Sequence, residues 1–538
     1  MTFSRLIVLF LLLLASAWTA LVNGQPFFMA DSSAYVRGPD FAVVYFLGPK
    51  FATSWTQERT LQGAEHRARP ATTESSVQDV RLNSPFDKAV LSGRSVFYGA
   101  LLYVGYLTSY FWLAVFAQAA IFIYLSYTFV VTCARLSFPT FVGITSTILI
   151  ITPASFFISF LMPDIFASFL ILATAILVGF WERLKLRDQI CSSGIAFYSV
   201  LAHMSHLLLL VCLTILFLIV CLVTDRKVTA SSAVYKRAGV LFLAILVGAL
   251  GEQVLPYGAR YIVGVDPVRP PYLMARLIAD GPGYRFLQKN CATKPYVVCS
   301  YIDRLSFDAT KRSIGAKSDA FLWSMDARDG VFNAIDSATR RALSLEETSF
   351  VFDVFRSDPA GVMNSAINNS IRQLLTVELG TDEFFLDQQL QSFKGKLLSL
   401  NFNELLPPRI VVRDWILTHG NEWFFLIYST SMISLVLTWA CWPFFRFHKI
   451  SNIFPQSQWF SVLTITVMAI LFNAAICGAL SGPHPRYQTR ISWVPSFVLL
   501  VLIAKLWAVF WPSKNEIGLA SRKAETATTA TAHSQRIA

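Results

Sequence analysis

From His206 to Thr224 no residue carries a charge. That is long enough to cross a bilayer as a helix, which takes roughly 20 apolar residues. Backbone N–H and C=O groups in hydrocarbon find no water, so a spanning segment of this kind must satisfy them internally as a helix. Similar runs recur along the 538 residues, of which 54% are hydrophobic and only 14% charged. A soluble chain carries about 25% charge. The expected fold class is therefore an all-α polytopic membrane protein with about ten transmembrane helices and a soluble extracytoplasmic insertion.

The spans expected from hydropathy are 5–23, 108–133, 138–160, 165–181, 190–204, 206–224, 238–256, 422–445, 457–480 and 491–511. The run 190–224 exceeds one helix and is divided at His203-Met204-Ser205-His206, and 95–107 reads as an interfacial or re-entrant helix leading into the next span. The first apolar segment, Leu6 to Val22, has Arg5 before it and Ala15-Ser16-Ala17 within it, as a secretory signal would. Its apolar run continues through Trp18, Leu21 and Val22, so it is read as a retained helix. Arg135, Arg183, Lys185, Arg187, Arg226, Lys227, Lys236, Arg237, Arg446 and Lys449 fall in short loops on one side, as the positive-inside bias requires of the cytoplasmic face. Alternation then places 24–107, 161–164, 257–421 and 481–490 outside and both termini in the cytoplasm. The formal charge of +12 is explained by these loops and the tail, and no nucleic-acid motif accompanies it.

Four regions follow: an N-terminal membrane module (1–256) with a large outer loop, an extracytoplasmic soluble insertion (257–421), C-terminal membrane helices (422–511), and a cytoplasmic tail (512–538). The tail is rich in Ala, Thr and Ser and is expected to be disordered. Residues 53–83 are polar and read as a surface loop. Six of the eight cysteines lie in or beside spans, where Cys acts as a small apolar residue. Cys291 and Cys299 lie in the insertion at a spacing suited to a loop-closing disulfide, free thiols being the alternative.

Candidate chemistry gathers at the outer face. Asp31, in Ala30-Asp31-Ser32-Ser33-Ala34-Tyr35, follows the first span, and Asp164 follows Pro163 at the start of a later one. Carboxylates at membrane boundaries are costly to desolvate and mark function by default. Each also has a plainer reading, Asp31 as a helix N-cap and Asp164 as a carboxylate favoured by a helix dipole. Tyr35 lies one helical turn after Asp31. His203 and His206, also one turn apart, suit a phosphate, a metal or a proton, or merely satisfy a tight interhelical turn. Arg486, Tyr487 and Arg490 stand in a short outer loop against the positive-inside trend. There an arginine fork fits a phosphate, and an interfacial snorkelling pair is the alternative.

With these residues in place, the chain resembles the GT-C superfamily of integral membrane glycosyltransferases, which use polyprenyl-phosphate sugars on the non-cytoplasmic face. The resemblance rests on Asp31 and Tyr35, Pro163-Asp164, the His203/His206 hairpin and Arg486-Tyr487, and covers mainly 1–260 and 422–511. The first-loop motif has one acid where protein mannosyltransferase-like members carry an Asp-Glu pair, which leaves the acceptor class open. The resemblance implies hexosyl or pentosyl transfer from a polyprenyl-phosphate sugar donor to an envelope glycan, lipid or protein acceptor.

The donor already has a good leaving group, so the reaction needs a base and cations to hold the departing phosphate. Asp31 is expected to be the base, Asp164 to orient the acceptor or hold a divalent cation (Mg or Mn), and Arg486, Arg490 and His206 to stabilise the phosphate. In-line attack predicts inversion. The expected location is a bacterial inner membrane. The competing readings are a transporter or flippase of an envelope lipid or glycan, and a non-catalytic envelope binding protein.

Overall fold

The computed structural model describes residues 3–48, 90–109, 111–224, 232–305, 314–324, 326, 328, 330–380, 415–442 and 456–510. The polar run 53–83 and the tail 512–538 lie outside these residues. Numbered in chain order, the first helices are α1 (Phe3–Ser16), α2 (Trp18–Asn23), α3 (Ala30–Leu47), α4 (Val96–Ser109), α5 (Trp112–Tyr127), α6 (Phe138–Ile151) and α7 (Ala154–Ile158). Next come α8 (Ile165–Phe180), α9 (Leu186–Ala202), α10 (Met204–Thr224), α11 (Ser232–Glu252) and α12 (Val254–Ile262). The insertion contributes α13 (Tyr272–Asp280), α14 (Pro282–Asn290), α15 (Ile314–Trp323), α16 (Ser337–Ser357) and α17 (Pro359–Leu375). The chain returns to the bundle through α18 (Asn421–Cys441), α19 (Gln456–Ile476), α20 (Pro485–Thr489) and α21 (Trp493–Phe510). Among the described residues there is no strand, only two isolated bridges, Phe27 with Phe160 and Leu91 with Val268.

Among the described residues, seven segments are long and apolar enough to span, against the expected ten. They are Trp112–Cys133, Ile165–Arg183, Met204–Leu222, Val234–Ile262, Thr418–Cys441, Gln458–Ser481 and Pro485–Ala508. The other three fall short for identifiable reasons. The helix expected over 5–23 is interrupted at Ala17, leaving α1 with 14 residues. At 1.5 Å per residue that is about 21 Å, against a hydrocarbon core of about 30 Å. The segment over 138–160 is cut by Pro153, so α6 is also 14 residues long. Helix α9 starts four residues earlier than the expected 190, at Leu186, with Arg187 and Asp188 in its first turn and Ser192 and Ser199 on its buried side. The break between α9 and α10 does fall at His203, where the backbone is extended. Helices α4 and α5 are likewise distinct, separated at Phe111, whose φ of 71° is left-handed.

Helix α8 is buried at every position from Ile165 to Phe180. A helix that is hydrophobic all round belongs in a core, and α5, α9 and α19 pack around it. At one end of the bundle, cationic side chains fasten helix ends. Arg183 donates to the Cys133 carbonyl, Lys505 to the Ala134 carbonyl at 2.9 Å, and Arg237 to the Val178 carbonyl at 2.9 Å. The residues of the candidate site lie at the other end.

The insertion has its own core, with Met274, Leu287, Phe321, Phe332, Leu343 and Phe350 packed together. Cys291 and Cys299 are joined by a disulfide within it. It is fastened to the loop between α19 and α21 by paired hydrogen bonds. Gln373 donates to the His484 carbonyl (2.9 Å) and accepts from the His484 N–H (2.8 Å). Thr489 Oγ1 accepts from the Glu378 N–H (2.9 Å) and donates to the Glu378 carbonyl (2.8 Å).

Candidate functional site

The start of α3 is set by the bridge between the first loop and the segment before α8. The Phe27 N–H donates to Ser159 O (2.9 Å), and the Leu161 N–H donates to Phe27 O (2.8 Å). Ser32 Oγ then donates to Leu161 O (2.9 Å) while accepting from the Met29 N–H (3.1 Å). The helix-start work thus falls to Ser32, with Met29 as the N-cap residue. Asp31 caps nothing. Its Oδ2 lies 2.6 Å from Arg94 Nη2, and the two side chains are 24% and 26% exposed, so both reach an open cleft.

Arg94 is delivered by the short segment before α4, pinned where the Ser92 N–H donates to Val268 O (2.9 Å) and the Val268 N–H to Val90 O (2.7 Å). Its guanidinium also lies 5.9 Å from the centre of the Tyr35 ring. Tyr35 is buried and meets Tyr98 edge-on at 5.3 Å. Burial pushes the Asp31 carboxyl up, but the charges of Arg94 and Arg486 and the hydrogen bond from Arg94 outweigh it, and Asp31 is held below the usual carboxylate range.

Asp164 precedes α8 without capping it. Its Oδ1 lies 3.2 Å from Arg490 Nη1, and the two side chains are only 4% and 2% exposed. Arg490 Nη2 donates further to Asn473 Oδ1 (3.1 Å), approaches Cys477 Sγ (3.4 Å) and Ser205 Oγ (3.5 Å), and the Arg490 carbonyl accepts from Ser168 Oγ (2.6 Å). This pair is a closed tie between α8, α10 and the start of α21. The expected roles of Asp164 toward an acceptor and Arg490 toward a phosphate would need an opening that is absent here.

The two histidines also separate. Ser205 N–H donates to His203 Nδ1 (3.1 Å), which leaves the ring proton on Nε2. His206 is fully buried and sends its Nδ1–H to the Ser199 carbonyl at 2.8 Å, which is the turn-satisfying arrangement. Their ring centroids are 5.3 Å apart.

Arg486 stays partly accessible, its guanidinium against the Met29 sulphur and 5.1 Å from the centre of the Tyr487 ring. Tyr487 has Arg490 on its ring as well, at 5.2 Å, and its hydroxyl meets Ser481 Oγ at 3.2 Å. Of the other outer arginines, Arg94 joins the cleft directly. Arg260 pairs with Asp266 in solvent, and Arg276 is buried in an ion pair with Asp280.

Sequence reasoning missed Asp319, on α15, whose Oδ2 lies 3.4 Å from His484 Nε2. Nothing local in Lys317-Ser318-Asp319 signals a site, because its meaning comes from the docking of the insertion. His484, between Pro483 and Pro485, lies in the same outer loop as Arg486 and Tyr487.

An apolar cavity of about 460 Å³ opens beside these groups. Helices α3, α4 and α12 wall it, with Phe41, Phe46, Leu255 and Ile262 among its lining and Tyr35, Arg37 and Arg94 as polar lining residues. The exposed rings of Tyr257 and Tyr261 on α12 are of the kind found at a membrane–water boundary. No group of three or more His, Cys, Asp or Glu among the described residues could hold a metal ion. Asp31 and Asp164 are each taken by an arginine, so they do not fit a divalent cation. No protein-family model matches the chain, and comparison with curated proteins and with solved structures returned no match.

Proposed function

We propose that this multi-pass membrane protein is a glycosyltransferase that moves a sugar from a polyprenyl-phosphate donor to a hydroxyl acceptor on the extracytoplasmic face, with inversion. The observation that carries this reading is an apolar cavity whose lining includes Arg94, the arginine paired with Asp31. A lipid chain would lie in the cavity walled by α3, α4 and α12, with its phosphate at Arg94 and Arg486 and the anomeric carbon beside Asp31. Binding both reactants at one boundary supplies the proximity that such a transfer needs. Arg486 and Arg94 would stabilise the charge that grows on the departing phosphate.

Asp31 was the expected base. Tied to Arg94 it remains ionised and only weakly basic, which suits it better to stabilising positive charge on the sugar ring and orienting the acceptor hydroxyl. The orientation rests on the cationic fastenings at the opposite end of the bundle, which belong on a cytoplasmic face. A transporter would place its charged groups near span midplanes on broken helices. The charged groups described here lie at the two ends of the bundle instead, with the carboxylates of the candidate site at one of them.

The test is the lipid-linked glycan profile, by mass spectrometry, of cells carrying wild-type protein or Asp31→Asn at equal expression. Asp31→Asn is expected to abolish transfer and cause the polyprenyl-phosphate donor to accumulate. Identical profiles would remove Asp31 from the mechanism and favour the transporter or binding protein.

A further inference from the structure

Resting on that reading, we propose that Asp319 of the soluble insertion is the group that takes the proton from the acceptor hydroxyl, with His484 positioning its carboxylate. Several observations lead to this residue. Among the described residues, Asp319 keeps an open surface near the cleft with no arginine paired to its oxygens; its side chain is 40% exposed and that of His484 26%. Asp31 and Asp164, by contrast, are each bound to a guanidinium. His484 is held firmly. Its backbone is clamped on both sides by Gln373, and its ring lies edge-on to Tyr487 with centroids 5.3 Å apart. The 3.4 Å between Nε2 and Oδ2 is longer than a formed hydrogen bond, so a small movement on acceptor binding would tighten it.

Asp319 is also fixed from behind. Ser318, its neighbour, lies 3.5 Å from Arg276 Nη1, and Arg276 Nε donates to Asp280 Oδ2 (2.9 Å), which accepts from Asn369 Nδ2 (2.9 Å) as well. The chain makes room for this cluster at Gly482, whose φ of 129° suits glycine. A Cβ there would sit 2.6 Å from Arg276 Nη1.

In the step itself, the acceptor oxygen forms a bond to the anomeric carbon as the bond from that carbon to the phosphate oxygen breaks. The bonding pair leaves with the polyprenyl phosphate, held by Arg486 and Arg94. The acceptor proton passes to an Asp319 oxygen and returns to water afterwards. Atoms and charge balance without a further reagent.

The groups facing Asp319 are His484 and Arg486 from the loop after α19, Arg276 from α13 and Asp31 from α3. Partial burial raises the Asp319 carboxyl to about 6, with Asp31 adding to the rise and Arg486 and Arg276 opposing it. Burial and the same two arginines push His484 down to about 4. Asp31 titrates lower still than an ordinary carboxylate. A base near the working pH is the effective one. Asp319 can accept a proton only once it has lost its own, so the rate should rise with pH through about 6.

The experiment uses membrane vesicles holding the full-length protein and follows consumption of the membranes' own polyprenyl-phosphate sugars by mass spectrometry from pH 5 to 8. Wild type is expected to show that rise. Asp319→Asn should be slower at pH 7.5 by about 100-fold or more and lose the inflection. Asp319→Glu, which keeps the carboxyl, should retain it. An unmoved inflection in Asp319→Asn, or loss of it in both variants, overturns the assignment. If wild type consumes the donor, Asp31→Asn does not and Asp319→Asn matches wild type, the transfer reading stands and this one fails. No consumption by wild type at any pH defeats the transfer reading itself.

Discussion

Two aspartates a few residues beyond an apolar span look alike in a sequence, and both suit a helix start. Their surroundings separate them. Asp164 is sealed with Arg490, so removing its charge leaves a buried guanidinium uncompensated, which costs about 3–5 kcal/mol. Asp31 and Arg94 keep about a quarter of their surface, where a pair contributes about 0–1 kcal/mol. Asp164→Asn is therefore expected to lower the apparent Tm of the detergent-solubilised protein by several degrees, and Asp31→Asn to leave it nearly unchanged. Thermal unfolding of the two variants side by side checks this, and equal shifts would contradict it. The sequence could mark both residues as unusual because charge at a membrane edge is rare. It could not rank them, since Arg490 is 326 positions from Asp164 and only packing brings the two together.

At the scale of elements, the site depends on how closely α3 lies on α4. Gly99 allows that approach: a Cβ on it would come 2.3 Å from the Tyr35 carbonyl oxygen. Gly99→Ala should push α3 away, at about 1–3 kcal/mol for the overpacking, and disturb Tyr35 and Asp31 without altering any charge. Donor accumulation in cells carrying Gly99→Ala, at wild-type expression, is the expected outcome. A normal glycan profile would show that α3 tolerates the shift. The hydrophobic pattern made most long helices legible, and also the division at His203. It overcounted spans where Ala17 and Pro153 interrupt an apolar run, because hydropathy averages over a break that backbone geometry does not. Asp319 was illegible for a different reason. Its partners come from the loop after α19, and no periodicity within α15 points there.

For the whole molecule, cationic fastenings at one end and a carboxylate-bearing cleft at the other make a polar axis through the bundle. Single cysteines report its direction. In a background with Cys191 and Cys441 replaced by Ser, Ser357→Cys at the end of α16 should react with a membrane-impermeant thiol reagent on intact cells. Arg187→Cys, at the start of α9, should react only after permeabilisation. Labelling of both from the same side would overturn the orientation and, with it, the extracytoplasmic site.

The paired hydrogen bonds from Gln373 to His484 and from Glu378 to Thr489 bear on engineering as much as on chemistry. They make the soluble insertion and the loop after α19 one inherited unit, although more than a hundred residues separate them in the chain. A chimera that exchanged the insertion alone would present a foreign surface to an unchanged loop. The exchangeable cassette is the insertion together with residues 477–490, and new acceptor preferences are to be sought by moving the two as one.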